Sequence, residues 1–435
     1  MPVIPATHRQ PAPLELRVGR WLTAAATAVI GGLTLLPDPD GARLAALTPF
    51  LCLVCGEYGG VDVVLNLLLF LPLGAGLGLM RVPARRAIFV MVFATVLIET
   101  LQAVAVAGRD ASLSDLLTNS IGGCAGFWLA AHWRQLVIPD QIWSRRLSRL
   151  TTAGWIAVWG LSSWLMQRAL PPVPWWGQLA APGVTAADYP GRILRAEVGG
   201  VGVSIGQIAD ILPVVERLQA ESATVRLTAA PGPATRNLAS MFGLLNGHQQ
   251  EALLIAQDGR DLVFRVRRHS SDLGLRQLEL VVPGGAGQPG DTVAIVGTLT
   301  GTGQALRSVH GADTVAGTLE LTPSLGWMML LPGAFRRAAL IRWLNILWLA
   351  LWIAPVAYYG SRATRLSARG SLRQRLGLAG AIGAGLWLLP LCLHGPTGSA
   401  FDLLGAAIGV AAGEGLSSWS AGLEPRPPGS GHAAA

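Results

Sequence analysis

The sequence predicts an α-helical polytopic membrane bundle of about eight spans, plus an inserted all-β antiparallel sandwich domain. Three observations predict it. Apolar runs of roughly 18–22 residues recur, each long enough to cross a hydrocarbon core of about 30 Å. The 435-residue chain is 51% hydrophobic and only 13% charged, where a soluble domain carries about 25% charged residues. One polar segment of about 165 residues interrupts the apolar runs, and its short stretches read as strands.

The elements follow in order. Residues 1–19 are polar and Pro-rich and lack the short apolar stretch and small-residue cleavage site of a signal peptide. They are expected to form a cytoplasmic N-terminal segment, with the first apolar run retained in the membrane. Spans are expected near 20–36, 61–80, 86–107, 113–133, 151–170, 339–359, 376–393 and 400–420. The first four make a membrane unit over 20–135, the fifth stands alone at 151–170, and 339–420 holds three more. The tail 421–435 is Pro/Gly/Ala-rich and is expected to be disordered.

Orientation follows from the short loops, where arginine marks the cytoplasmic side. All 33 basic residues are Arg. Arg9, Arg17 and Arg20 precede the first span, whereas the next connection holds Asp38, Asp40, Glu57 and only Arg43. Arg81, Arg85 and Arg86, then Arg134, Arg145, Arg146 and Arg149, then Arg362, Arg365, Arg369, Arg373 and Arg375 mark further inner loops. This places both termini on the cytoplasmic side of a membrane and the polar segment extracytoplasmic. The net charge of +8 is explained by these clusters, so no nucleic-acid partner is expected.

The polar segment, bounded at 180–332, begins after LPPVPWWGQL, where Trp175 and Trp176 read as interfacial anchors. Strand signals recur in RILRAEV, ATVRLTAA, EALLIAQ, DLVFRVRR, QLELVVPG, TVAIVGTLTG and GTLELTP. ALLIAQ and DLVFRVRR are predicted to form a hairpin turning at Asp258-Gly259, and QIADILPVVERLQAE is a helical interruption. At the level of pattern, the segment resembles a laminin-G or concanavalin-like sandwich. Such domains often bind sugars, which makes an envelope glycan a candidate partner. Asp258, Asp261, Asp272, Asp291 and Asp313 read as turn residues that bond their own backbone.

Chemistry concentrates in the first four spans. Ionisable residues within a span cost roughly 2.5–3.5 kcal/mol on insertion and are functional candidates by default. Asn66 lies in VLNLLLFLPLG, Glu99 and Gln102 in IETLQ, and Arg109, Asp115 and Asn119 in GRDASLSDLLTNSIGG. Glu99 and Gln102 share one helix face at i, i+3, and Asp115 and Asn119 share another at i, i+4. Arg109 sits in a short loop within reach of either acid. This series closely resembles the VanZ-like family, whose pattern is Asn-x3-Phe-x-Pro-x-Gly, then Glu-x2-Gln, an Arg, and Asp-x3-Asn followed by spaced glycines. Asn66, Phe70, Pro72 and Gly74 match its first part, Glu99 and Gln102 its second, and Arg109, Asp115, Asn119, Gly122 and Gly126 the rest. The resemblance implies a cell-envelope accessory role, named for resistance to glycopeptide antibiotics, without fixing a reaction.

Three readings of the polar set stand side by side. It is a structural network holding the bundle together, or a site at the outward membrane face for a lipid-linked envelope precursor, with Asn66, Gln102, Arg109 and Asn119 binding. As a third, Glu99 and Asp115 are catalytic, performing acid–base chemistry on such a substrate. No cofactor or metal is expected. Cys52 and Cys55 form a C-x2-C that lacks the further ligands of a zinc site and reads as a local disulfide or two packed thiols.

The last span repeats the fourth. Asp115-Leu116-Leu117, Ile121-Gly122 and Ala125-Gly126 reappear as Asp402-Leu403-Leu404, Ile408-Gly409 and Ala412-Gly413 at one constant offset. In that register Glu99 becomes Leu386, Gln102 becomes Leu389, Arg109 becomes Pro396 and Asn119 becomes Ala406. The C-terminal spans thus read as a degenerate copy that serves as scaffold.

Overall fold

A computed structural model describes residues 12–37, 51, 53–54, 58–106, 111–179, 187–204, 206–208, 210–248, 250–331, 338–365 and 371–422. The chain divides into two compact units, Met1–Asp140 with Leu273–Leu275, and Gln141–Asp272 with Arg276–Ala435. Arg109, Cys52, Cys55 and the expected tail beyond Gly422 lie outside the described residues.

The first unit holds helices α1 (Pro13–Thr34), α2 (Gly59–Leu79), α3 (Ala84–Ala105), α4 (Leu113–Ala131) and the short α5 (Trp133–Val137). Glu15 at the third position of α1 accepts the N–H of Ala12 at 3.0 Å, closing the helix start. The same carboxylate takes the Trp133 indole N–H at 3.0 Å and pairs with Arg134 at 3.1 Å, pinning α5 to α1. Ala26, Ile30, Phe70, Leu73 and Ile98 make one core cluster from α1, α2 and α3. Leu77, Ala87 and Met91 make another, against Cys124 and Phe127 of α4.

Helix α4 lies on α2 through glycines. A Cβ at Gly74 would collide with the Gly123 carbonyl, one at Gly122 with the Leu67 carbonyl, and one at Gly126 with the Leu71 carbonyl. Small residues thus bring the two backbones together, the packing expected where no hydrophobic force acts between helices in lipid.

The second unit opens with α6 (Gln141–Leu165) and then carries, among the described residues, twelve strands in two antiparallel sheets, consistent with an inserted β-sandwich. The strands are β1 (Trp175–Leu179), β2 (Arg192–Val198), β3 (Val201–Gly202), β4 (Gly206–Gln207), β5 (Ala223–Ala230) and β6 (Ala239–Asn246). They continue with β7 (Glu251–Asp258), β8 (Asp261–Val266), β9 (Glu279–Val282), β10 (Val293–Thr300), β11 (Gly303–His310) and β12 (Asp313–Glu320). One sheet runs β4-β1-β6-β7-β8-β9 and the other β12-β11-β10-β5-β2-β3. Between β4 and β5 lies α7 (Leu212–Gln219), and α8 (His269–Asp272) follows β8. The hairpin forms as expected, with Asp258 opposite Asp261 and Gly259 at φ +65°. Gly297 leaves room for the Phe264 ring of the opposing sheet, 3.0 Å from where a Cβ would stand. Asp261, at the start of β8, accepts the Gly284 N–H, and Asp291 accepts the Gln288 N–H three residues before it.

Trp175 is a correction. The expected interfacial anchor is fully buried in β1, and its indole donates to the Pro171 carbonyl at 3.0 Å. A Trp at a breaker-rich boundary serves core and interface alike, and here the strand pairing of β1 with β6 draws it inside.

After the sandwich come the 3-10 turn Pro323–Met329, then α9 (Ala338–Arg365), α10 (Ser371–Gly383), a π segment Ala384–Leu388, α11 (Leu389–Cys392) and α12 (Ala400–Gly422). Pro390 has no N–H to offer the Leu386 carbonyl, which instead accepts from Gly398 at 2.8 Å.

Among the described residues four helices are long and apolar enough to cross a membrane: Gly59–Leu79, Ala84–Ala105, Ala339–Arg365 and Ala400–Gly422. The expected count of eight is not supported. Helices stand at the other four positions, but polar residues dilute them: Arg17 and Arg20 in α1, Asp115, Thr118 and Asn119 in α4, Arg145, Arg146 and Arg149 in α6. The apolar helix at the seventh position, Leu376–Cys392, is too short.

Candidate functional site

The helices of the first unit alternate in direction, so the C-terminal ends of α1 and α3 meet the N-terminal ends of α2 and α4. The polar residues collect there. Ser112 caps α4, its hydroxyl accepting the Asp115 N–H at 3.0 Å. The Ser112 N–H itself donates to Glu99 Oε2 at 2.9 Å, so a carboxylate from α3 completes the cap of α4. Asp115 Oδ1 accepts from Asn66 Nδ2 of α2 at 2.6 Å. Asn119 Nδ2 donates to Thr95 Oγ1 of α3 at 3.1 Å, and Gln102 Nε2 to the Thr34 carbonyl of α1 at 2.9 Å. All five described site residues expected from sequence therefore lie in one constellation spanning four helices.

Glu99, Gln102 and Asn119 are buried, while Asn66 and Asp115 are half-buried. Two acceptors are left over. Gln102 Oε1 and Asn119 Oδ1 are buried and meet no donor among the described residues. The Gln102 amide cannot be turned to cure this, because its nitrogen must face the Thr34 carbonyl. For Asn119 either amide orientation leaves one polar atom unmatched against the single Thr95 hydroxyl. An unsatisfied buried acceptor costs about 1–3 kcal/mol.

Sequence reading missed Thr95 and Ser112. Both carried a signal: Thr95 precedes Glu99 by four residues on the same helix face, and Ser112 stands three before Asp115 in a capping pattern. Among the described residues no group of His, Cys, Asp and Glu is placed to hold a metal ion.

Comparison with known proteins bears on this constellation. Residues 24–134 match the family described as VanZ/LLP1. These residues form a VanZ-like domain. Every described residue of the polar set falls inside the match. No curated protein and no solved structure matches the chain. The expected likeness of the sandwich to laminin-G or concanavalin-like domains gains no support from these comparisons.

The second unit contains a helix pair packed as the VanZ-like domain packs α2 and α4. A Cβ at Gly126 would meet the Leu71 carbonyl and the Ala75 nitrogen; one at Gly413 would meet the Ala354 carbonyl and the Tyr358 nitrogen. One at Gly122 would meet Leu67, and one at Gly409 would meet Ala350. The register that superposes these contacts also places Pro72, inside α2, on Pro355, inside α9. It places Asn66 on Leu349. Leu349, Leu386 and Ala406, the counterparts of Asn66, Glu99 and Asn119, belong to one buried hydrophobic cluster with Trp155, Trp159, Ile353 and Val356. Only the aspartate persists, and it is used differently. Asp402 Oδ2 accepts the Ser399 N–H at 2.6 Å, whereas the equivalent Ser112 N–H goes to Glu99.

Proposed function

We propose that the polar end of the VanZ-like domain binds the head group of an amphiphile, a lipid-linked or glycan component of the cell envelope, at the outward membrane face. Glu99, Asp115, Asn66, Gln102, Asn119 and Arg109 supply the contacts. In this reading the helices α6, α9, α10–α11 and α12 are a degenerate copy of α1–α4, with the sandwich inserted between its first and second helices.

One observation carries the reading. The same glycine-mediated helix pairing closes in the second unit with Leu349, Leu386 and Ala406 where the VanZ-like domain has Asn66, Glu99 and Asn119. At these three positions the second bundle closes on hydrocarbon, so helix pairing of this kind does not itself require Asn66, Glu99 and Asn119. The leftover acceptors Gln102 Oε1 and Asn119 Oδ1 suit a ligand that brings hydroxyl or amide donors. Binding is favoured over acid–base chemistry because Glu99 Oε2 is committed to the backbone of α4.

The test is lipid identification by mass spectrometry on protein purified from its own membrane. Wild type is expected to retain a specific envelope lipid, and Glu99→Gln and Asp115→Asn to lose it while accumulating normally. Equal lipid retention, with unchanged behaviour under glycopeptide or envelope stress, would sink the proposal.

A further inference from the structure

The second unit contains a cavity of about 250 Å³ that has no part in the VanZ-like site. It is lined by the segment that follows α6 (Met166, Gln167, Arg168), by Arg268 of the sandwich, by the turn Thr300-Gly301, and by His394 and Pro396. The backbones at Arg168 and Arg268 are joined by an isolated antiparallel bridge, with Ala169 N–H bonded to the Arg267 carbonyl and His269 N–H to the Gln167 carbonyl. That bridge sets two guanidinium groups side by side.

Neither guanidinium has a carboxylate partner among the described residues. Arg168 donates to the Leu218 and Ala220 carbonyls at the C-terminal end of α7, at 2.6 and 2.9 Å. Arg268 donates to the Met166 carbonyl at 2.6 Å and to Gln304 Oε1 at 2.9 Å. Each spends only two of its five N–H donors in this way. Arg268 is 2% exposed, and its Nε is buried with no acceptor. Burial lowers the Arg268 pKa to about 10, with the charge of Arg168 adding to the effect. Among the described residues no acidic side chain lines the cavity. A buried cation with only neutral acceptors is costly unless an anion joins it.

We propose that this cavity binds a phosphate-bearing anion between Arg168 and Arg268. Two arginines lining one space, each with N–H donors beyond those bonded to protein acceptors, match the oxygens of a phosphate, which accepts paired N–H donors. Thr300 and His394 add further polar atoms at the same wall. The volume holds a phosphate and a small polar substituent, well below the roughly 300–1,000 Å³ of a drug-sized pocket. The shared chemistry has two sources, a phosphodiester lipid head group and a soluble phosphate ester.

The full chain, purified in detergent, distinguishes them. Native mass spectrometry with added phosphatidylglycerol reads the lipid source, and thermal stabilisation by glycerol phosphate reads the soluble one. Either response, weakened about tenfold in Arg168→Gln and partly restored in Arg168→Lys, supports the site. Arg268→Gln also removes the links to Met166 and Gln304, so half-buried Arg168 carries the test. The proposal is overturned if neither probe binds, or if Arg168→Gln binds both as wild type does. Lipid held at the VanZ-like site is common to wild type and Arg168→Gln, so the difference between the two reports on this cavity alone.

Discussion

Rewriting the polar set with its apolar counterparts separates a fold requirement from a ligand requirement. The perturbation is the triple variant Asn66→Leu, Glu99→Leu, Asn119→Ala. Losing the Asn66–Asp115 bond costs about 0.5–3 kcal/mol, and losing Asn119–Thr95 about 0.5–1.5 kcal/mol. Against this, replacing a buried charge by hydrocarbon of similar volume returns about 1–4 kcal/mol. The Ser112 N–H, released by Glu99, is taken by Asp115 just as Ser399 is capped by Asp402. The triple variant is therefore expected within about 3 kcal/mol of wild type, and without its envelope lipid. Asn66→Leu alone is expected to be less stable than the triple, because Glu99 still holds the Ser112 N–H and Asp115 cannot turn to it. Thermal unfolding followed by tryptophan fluorescence, with lipid analysis on the same samples, reads both. A triple variant that fails to accumulate, or that unfolds far below the single variant, would refute the reasoning and make the polar set a structural network.

Other outcomes follow from packing and charge. Gly126→Ala is expected to cost about 1–3 kcal/mol or more, since its Cβ meets backbone that cannot yield, whereas Gly31→Ala, with open space around it, is neutral or stabilising by about 0.5–1 kcal/mol; comparing their unfolding midpoints checks the pair. Trp175→Ala is expected to cost about 3–5 kcal/mol, and a loss below 1 kcal/mol would place Trp175 at an interface after all. Arg134→Ala is expected to change stability by under about 1 kcal/mol, because half of its side chain is in solvent. Burial raises the Tyr189 pKa from 10.0 to about 12, so the folded chain holds a proton that the unfolded chain releases. Stability from this group is full below pH 10 and falls as pH rises toward 12, and Tyr189→Phe should flatten that fall in an unfolding series.

The polar constellation was legible in sequence because its residue types are conspicuous in apolar helices and their spacing fixes which face each occupies. Strands β5 and β10 were legible through alternation, their residues switching between buried and more exposed, and the wholly buried run of β7 through its hairpin turn with β8 at Asp258-Gly259. Strand β6 was not, because every residue of ASMFGLLN is buried and no period-two signal survives. Strand β1 was hidden by its two tryptophans, which suggested a membrane boundary. The number of spans was overread for a related reason. Apolar length says where helices form, but α1, α4 and α6 carry enough arginine or hydrogen-bonding side chains to fall short of the hydropathy that a crossing helix shows.

The use of the aspartate in the two helix sets bears most directly on the site. In the second set Asp402 caps its own helix by reaching back three residues to Ser399, a local device that needs no group from another helix. In the VanZ-like domain that local duty is transferred to Glu99 on another helix, and Asp115 is turned outward to Asn66. A cap supplied from α3 is an expensive substitute for one available at i+3, because it brings a second carboxylate into a buried place. The arrangement makes physical sense if Asp115 is wanted elsewhere, beside Asn66, facing whatever occupies the polar end of the domain. Besides the contact its carboxylate offers, Glu99 then positions Asp115 by freeing it from the cap. That predicts a specific asymmetry: Glu99→Leu should let Asp115 fall back onto the Ser112 N–H, preserving the helix and abolishing ligand retention, while Asp115→Asn should abolish retention with the Glu99 cap intact. Loss of the helix in Glu99→Leu would show instead that the cap, and not the ligand, is what the carboxylate is for.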